Sequence, residues 1–298
     1  MAVAIASSSR TAGTSNSTSI IITKPTGLTA GDILFAYIYT NNGGGSAPAG
    51  WSTIGTTADG DASGFALQLN TFAKIADSSD VAASDFTFTI ASDTRRLGYL
   101  FRITGDFSSG TITDYITSDT DDNITVSGST FTFPGGVTPY GNNSLLMIGT
   151  VGGKTTYNGT DPYSSWAVAN SNPSWTTQYN EGMPAGSADS ILASVVSSTY
   201  TSAIATGSYS VNSTAVGNEV GGKLISISET TNVTISPNVI TMTSSAQSPT
   251  VTGGANVSPA VVTMTASVQD PTVATAPAKW VNQDKSAQGT ITNQDKTV

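Results

Sequence analysis

The chain has 298 residues, 38% of them hydrophobic and only 10% charged, with a net charge of −9 and neither histidine nor cysteine. It is too apolar for a disordered chain and long enough for one large β-domain or two smaller ones. Disulfides, zinc sites built on His or Cys, and Ser-His or Cys-His nucleophile pairs are excluded, and the acidic balance argues against nucleic acid as a partner.

The N-terminal run Met1 to Arg10 lacks a basic stretch followed by a long apolar segment, so no signal peptide is expected. No run approaches the ~18 apolar residues of a membrane helix, and no membrane partner is expected. Thr, Val, Ile and Tyr, punctuated by 30 Gly and 12 Pro, favour strands and turns.

In chain order, strands are predicted at Ile20–Ile22, Asp32–Tyr39, Phe65–Phe72, Phe86–Ile90 and Tyr99–Ile103. Asn123–Val126, Thr130–Phe133, Ser144–Ile148, Ser190–Val196, Gly207–Val211 and Lys223–Ile227 follow. Phe86, Phe88 and Ile90 alternate with Thr87 and Thr89, which is the pattern of a sheet with one buried face. The unbroken run Ile33 to Ile38 reads as a central strand covered on both sides. Ser187–Ser197 is the one segment with helical spacing, and Val195-Val196 weakens it. Trp51, after the tight Pro48-Ala-Gly50 turn, reads as a core plug.

The composition loses its aromatic residues near position 229, which sets a boundary there. Beyond it Ser236-Pro237-Asn-Val-Ile-Thr-Met-Thr recurs as Ser258-Pro259-Ala-Val-Val-Thr-Met-Thr, and Pro249-Thr-Val recurs as Pro271-Thr-Val, a period of 22 residues. Asn282-Gln283-Asp284-Lys285 recurs 11 residues later at Asn293, with Trp280 and Ile291 each two residues ahead. Repeats of this size bury an apolar face against a neighbour, and two units are fewer than a free-standing array needs. The expected organisation is a β-sandwich over 1–228, two β-rich repeats over 229–277, and a docking segment over 278–298. Trp280, Asn282, Gln283, Lys285 and Ile291 are its candidate assembly residues.

The stretch Ile22-Thr-Lys-Pro25, Gly27, Ala30-Gly31-Asp32, then Ala47-Pro-Ala-Gly-Trp51 and Phe72-Ala-Lys-Ile-Ala76, resembles a motif of phage and phage-derived bacterial proteins. Trp280-Val-Asn-Gln-Asp-Lys-Ser286 resembles the ends of siphophage minor structural proteins. The resemblance implies a jelly-roll, concanavalin-like antiparallel β-sandwich from a virion appendage, and it carries over no active-site residue. It implies a virion protein, assembled in the bacterial cytoplasm, whose partners are other virion proteins and sister copies, with a homotrimer favoured by analogy.

Two clusters are candidate sites. Asp119, Asp121 and Asp122 are the densest set of oxygen ligands and make calcium the one candidate cofactor, against a solvated turn. Trp166, Trp175 and Tyr179, near Glu181, are the candidate carbohydrate surface, against service in a core or interface. A non-enzymatic virion fibre, spike or decoration protein, touching a host-surface glycan, is the leading expectation. A carbohydrate-binding module independent of a virion, and a polysaccharide depolymerase using Glu181, are the alternatives.

Overall fold

The computed structural model is all-β, and its first unit spans Met1–Thr231. It describes residues 2–229 except 14–15, 42, 61–66, 94, 108–110, 126–128, 155–160, 171–172, 184–189 and 215–218. The repeats and the docking segment, with Trp280, Asn282, Gln283, Lys285 and Ile291, lie outside the described residues.

The first half runs through β1 (Ala4–Gly13), β2 (Ser17–Thr23), β3 (Ile33–Thr40), β4 (Gly45–Ser46), β5 (Ser52–Thr53) and β6 (Ala58–Asp59). It continues with β7 (Gln68–Ile75), a short helix α1 (Ser78–Ala82), β8 (Asp85–Asp93) and β9 (Arg96–Thr104). After a single 3₁₀ turn at Ile112–Asp114 come β10 (Ile116–Thr125), β11 (Thr130–Phe133), β12 (Ser144–Lys154) and β13 (Ser164–Val168). The chain then forms β14 (Thr176–Met183), β15 (Ser190–Tyr200), β16 (Tyr209–Asn212) and β17 (Glu219–Ile227). Among the described residues no helix is long and apolar enough to cross a membrane.

The strand order shows an internal duplication. One large sheet runs β1-β9-β3-β7-β5, with β6 also on β7, and the other runs β10-β17-β12-β15-β14. The small sheets run β2-β8-β4 and β11-β16-β13. Setting β6 aside, each half has its first, eighth, third and sixth strands side by side in one sheet. Its second, seventh and fourth strands form the facing sheet. This is the strand alternation of a jelly roll, with the fifth strand added to the larger sheet. The expected antiparallel sandwich is therefore present twice.

Sparse sequence matches accompany the duplication. Pro25-Thr-Gly27-Leu28-Thr29 precedes β3 as Pro134-Gly-Gly136-Val137-Thr138 precedes β12. Gly98-x-Leu100-x-x-Ile103 on β9 matches Gly222-x-Leu224-x-x-Ile227 on β17. Ile33 pairs with Ile103 as Leu145 pairs with Ile227. Gly98 and Gly222 both lie against an outer sheet. A Cβ on Gly98 would stand 2.6 Å from the Ile22 Cδ1 atom, and one on Gly222 would stand 2.5 Å from the Phe133 ring.

Three cores make four layers. An inner core between the two large sheets holds Phe35, Tyr37, Tyr39, Leu69, Tyr99 and Phe101 against Leu145, Met147, Val151, Ile191, Val195 and Ile225. One outer core packs Ile20, Ile22, Phe86, Phe88 and Ile90 on Leu34, Ala36, Phe72 and Leu100. The other packs Phe131, Phe133, Tyr209 and Val211 on Leu146, Ile148, Val196 and Leu224. Strands β3, β15 and β17 are thus covered on both faces, and every residue of Ile33–Thr40 is buried. The strand expected at Ser190–Val196 is present, and the helical spacing across 187–197 gives no helix over its described residues. Ser190–Tyr200 is a central strand, whose contiguous apolar residues serve two cores at once, and its paired β-branched valines suit that geometry.

The motif that resembles phage proteins is spent on making the first jelly roll. Gly31 takes φ 95° and passes the chain into Asp32, whose Oδ2 accepts from the Thr29 N–H (2.8 Å) and hydroxyl (2.8 Å) and from Arg102 Nε (2.7 Å). Gly50 takes φ 84° in a turn where the Trp51 N–H donates to the Pro48 carbonyl (3.2 Å). The Trp51 ring then meets Phe86 and Phe88 edge-on, as expected of a core plug. Lys74 pairs with Asp77 (3.0 Å) and Asp80 (2.8 Å), the two carboxylates of the α1 capping box.

The two copies also meet backbone to backbone. A Cβ on Gly221 would stand 2.6 Å from the Asp59 carbonyl oxygen, where β6 of the first copy crosses the second. Gly221→Ala should therefore destabilise the unit by about 1–3 kcal/mol, because a backbone cannot turn aside. Gly98→Ala should cost less, since the methyls of Ile20 and Ile22 can rotate away. Urea denaturation of the two variants checks the ranking.

Candidate functional site

Of the candidate residues, Tyr179 and its neighbour Glu181 sit where β14 of the second copy meets β1 and β9 of the first. On β14, Tyr179 stacks on Tyr99 of β9, with ring centroids 4.2 Å apart at 11°. Its hydroxyl lies 2.9 Å from the Ser8 hydroxyl of β1. Two residues on, Glu181 Oε1 accepts from Arg10 Nε (2.5 Å) and from the Tyr99 hydroxyl (2.7 Å), while Oε2 takes Arg10 Nη2. The carboxylate raises the Arg10 pKa, and burial raises that of Tyr99. Glu181 is thus held at both oxygens as a clamp between copies.

Trp166 and Trp175 pack instead on the outer core of the second copy, beside Tyr163, Val168 and Tyr200. Tyr179 packs on the inner core. The three do not form one platform, because β14 is part of a large sheet whose two faces serve different cores. Their apolar area goes chiefly to packing. The Trp166 indole Nε1 is buried without a hydrogen-bond partner.

The acidic cluster also divides. Asp119, Asp121 and Asp122 lie within β10, an edge strand, and not in a turn. Asp119 and Asp121 pair with Leu224 and Gly222 of β17 and share the face turned to the small sheet β11-β16-β13. A bulge after Asp121 turns Asp122 the other way, where it accepts the Asp59 N–H (3.0 Å) from the first copy. Asp119 and Asp121 are neighbours on one face of the strand. Burial first, then the Asp121 charge, pushes the Asp119 pKa up to about 6. Among the described residues no group of three or more His, Cys, Asp or Glu side chains is placed to hold a metal ion.

A residue the sequence did not mark lies at the opposite crossing. Lys223 on β17 occupies the position matching Tyr99 on β9, between the large sheets and fully buried. Its Nζ donates to the Ile54 carbonyl (3.1 Å) and the Thr71 hydroxyl (3.0 Å) of the first copy. Burial lowers its pKa to about 7. No local pattern announces it, because Gly-Gly-Lys-Leu-Ile reads equally well as an edge strand with a solvated lysine. Arg10 was missed for the same reason, its partner being remote in sequence.

A surface groove of about 430 Å³ lies where Val3–Ile5 of the chain start meets Ser174, Thr176 and Gln178 of the β14 region and Ser197–Thr199 of β15. Its lining is hydroxyl, amide and aliphatic, with no titratable or aromatic side chain. No family model, curated protein or solved structure matches the chain.

The buried amine sets a pH dependence. Between pH 7 and 10.5 the unfolded lysine is protonated while buried Lys223 is neutral, so the unfolded state binds more protons and Lys223 makes stability rise with pH. Below pH 7 both forms are charged and the full burial cost remains. In Lys223→Met the Ile54 carbonyl keeps its bond from the Thr71 hydroxyl (2.6 Å), so no acceptor is orphaned. Lys223→Met should be more stable than wild type at pH 6 by about 1–3 kcal/mol. That difference should shrink steadily toward pH 10, as measured by urea denaturation across the range.

Proposed function

We propose that this chain is a non-enzymatic structural protein of a bacteriophage particle, an exposed fibre, spike or decoration component that docks through its C-terminal repeats. The observation that carries the reading is the use to which the motif residues are put. Gly31, Asp32, Gly50, Trp51 and Lys74, the residues that carry the phage-like resemblance, all build the first jelly roll. Double-sheet jelly rolls recur in viral capsid and lectin domains, which raises this class without naming a function by itself.

The candidate catalytic carboxylate points the same way. Glu181 is tied to Arg10 and Tyr99 across the copies, so hydrolysis would need it released from the contact that joins them. The outward faces are small and hydroxylated: Thr87 and Thr89 on β8 and Thr132 on β11 are exposed. Such faces suit a particle surface that meets host glycans through hydrogen bonds rather than through an aromatic platform. The tail, with two repeats and the Trp280 segment, is assigned to sister copies and other virion proteins, with a trimer as the favoured geometry.

A truncation after Glu229 tests the division of labour. The shortened chain should remain folded, with a melting temperature within about 4 °C of the full chain, since it keeps all three cores. It should be monomeric by light scattering and absent from purified particles by mass spectrometry, while the full chain assembles and is found there. A truncated protein that assembles like the full chain would remove the docking role from the tail.

A further inference from the structure

The duplication supplies an internal control for each jelly roll, and one position fails to match in a chemically specific way. With Gly98 aligned to Gly222, Asp119 corresponds to Ser9, which pairs with Leu100, and Asp121 corresponds to Thr11, which pairs with Gly98. The first copy thus fills both places with neutral hydroxyls. Opposite them, the described side chains that β8 turns inward are Phe86, Phe88 and Ile90, whereas the matching strand β16 turns in Tyr209 and Val211. The second copy has two carboxylates and a phenol where the first has two alcohols and hydrocarbon. The sandwich does not require them.

The three groups converge. Asp119 and Asp121 are neighbours on one face of β10, half-buried under the edge of the small outer sheet. Tyr209 is almost wholly buried, and burial first, then the Asp121 and Asp119 charges, raise its pKa, which places its hydroxyl beside the two carboxylates. Asp119 Oδ2, Asp121 Oδ2 and the Tyr209 hydroxyl are all buried atoms without a hydrogen-bond partner. Gly135 closes the Asp119 side. A Cβ there would collide with the Asp119 carboxylate, so the backbone approaches as only glycine allows. Two carboxylates this close repel when both are ionised, and three buried oxygens without partners are costly. A cation relieves both at once.

We propose that Asp119, Asp121 and the Tyr209 hydroxyl form a binding site for a hard divalent cation of the calcium class, at the β10 edge of the second jelly roll. The donor set is oxygen alone, which selects hard cations over zinc or copper. Two carboxylates and a phenol leave the remaining coordination positions to water, so the expected affinity is that of extracellular modules, about 10⁻⁴–10⁻³ M. Asp122, committed to the Asp59 N–H on the opposite face, takes no part. A purely protective role for the acids, keeping an edge strand from pairing with another sheet, would be served by exposed side chains. Asp119 and Asp121 instead point beneath the outer sheet.

Terbium luminescence on the full chain tests the site, because a bound Tb³⁺ ion would lie within energy-transfer range of Tyr209. The expected result is saturable tyrosine-sensitised emission that Ca²⁺ displaces. Ca²⁺ at about 10 mM should also raise the melting temperature by roughly 3–8 °C. The double variant Asp119→Ser/Asp121→Thr carries the residues that the first copy uses in the same places, so it should fold. It should lose both the emission and the Ca²⁺-dependent shift, and Tyr209→Phe should weaken Ca²⁺ displacement. Emission and shift retained in the double variant would place the ion elsewhere and overturn the proposal. So would a wild-type protein whose stability changes with pH near 6 but does not respond to Ca²⁺ or Tb³⁺, since the acids would then only share a proton.

Discussion

Everything in this unit depends on the inner core, where the two large sheets meet. A lone jelly roll of about a hundred residues has one core and exposes the outer face of each sheet. Packing the larger sheets together adds a second buried face to β3, β9, β12, β15 and β17, carried by rings such as Phe35, Tyr37, Tyr99 and Phe101. Tyr37 meets Phe101 there edge-on at 87°, while Tyr99 and Tyr179 stack at 11°. The same packing removes solvent from the middle of the unit. Glu181, Arg10 and the β10 acids lie on edge strands of the large sheets, and Lys223 lies where the second copy meets Ile54 and Thr71 of the first.

The two crossings show how one geometric position accepts two chemistries. On β9 the residue reaching the other copy is Tyr99, which stacks on Tyr179 and gives its hydroxyl to Glu181. On β17 it is Lys223, which gives its protons to a carbonyl and a hydroxyl. The aromatic solution keeps its polar tip near the half-exposed Arg10–Glu181 pair, so little charge is desolvated. Among the described residues no carboxylate forms an ion pair with the amine, and burial lowers its pKa. Polar contacts of this kind fix which strand lies over which. The hydrophobic area around them, being non-directional, supplies most of the association but little of the register.

Local features were legible in the sequence and relations were not. The run Ile33 to Ile38 announced a strand buried on both faces, and Phe86-Thr-Phe-Thr-Ile announced a half-buried one. The duplication stayed hidden because its copies share only Pro-x-Gly and Gly-x-Leu-x-x-Ile in corresponding places. Burial on both faces also erases the alternation that would reveal matching strands. The same erasure made Ser187–Ser197 look helical. Trp166, Trp175 and Tyr179 looked like one site because they are close in sequence. Whether they share a face depends on which sheet β13 and β14 join, and no local pattern encodes that.

The edges of the unit bear on how it associates with other chains. A long exposed edge strand is a template for pairing, and proteins blunt it with bulges and charge. The long edge strands of the large sheets, β1, β10 and β14, all have a register shift, at Ile5/Ser7, Asp121/Ile124 and Thr177/Tyr179. Each also carries charge: Arg10 on β1, Asp122 exposed on β10, and Glu181 on β14. The remaining edge, β5 with β6, is only two residues long at each strand. These sheets are therefore built against strand addition from a neighbour. Their apolar faces are consumed by the stack, and Ile21 and Ile204 are the exposed large aliphatic side chains among the described residues.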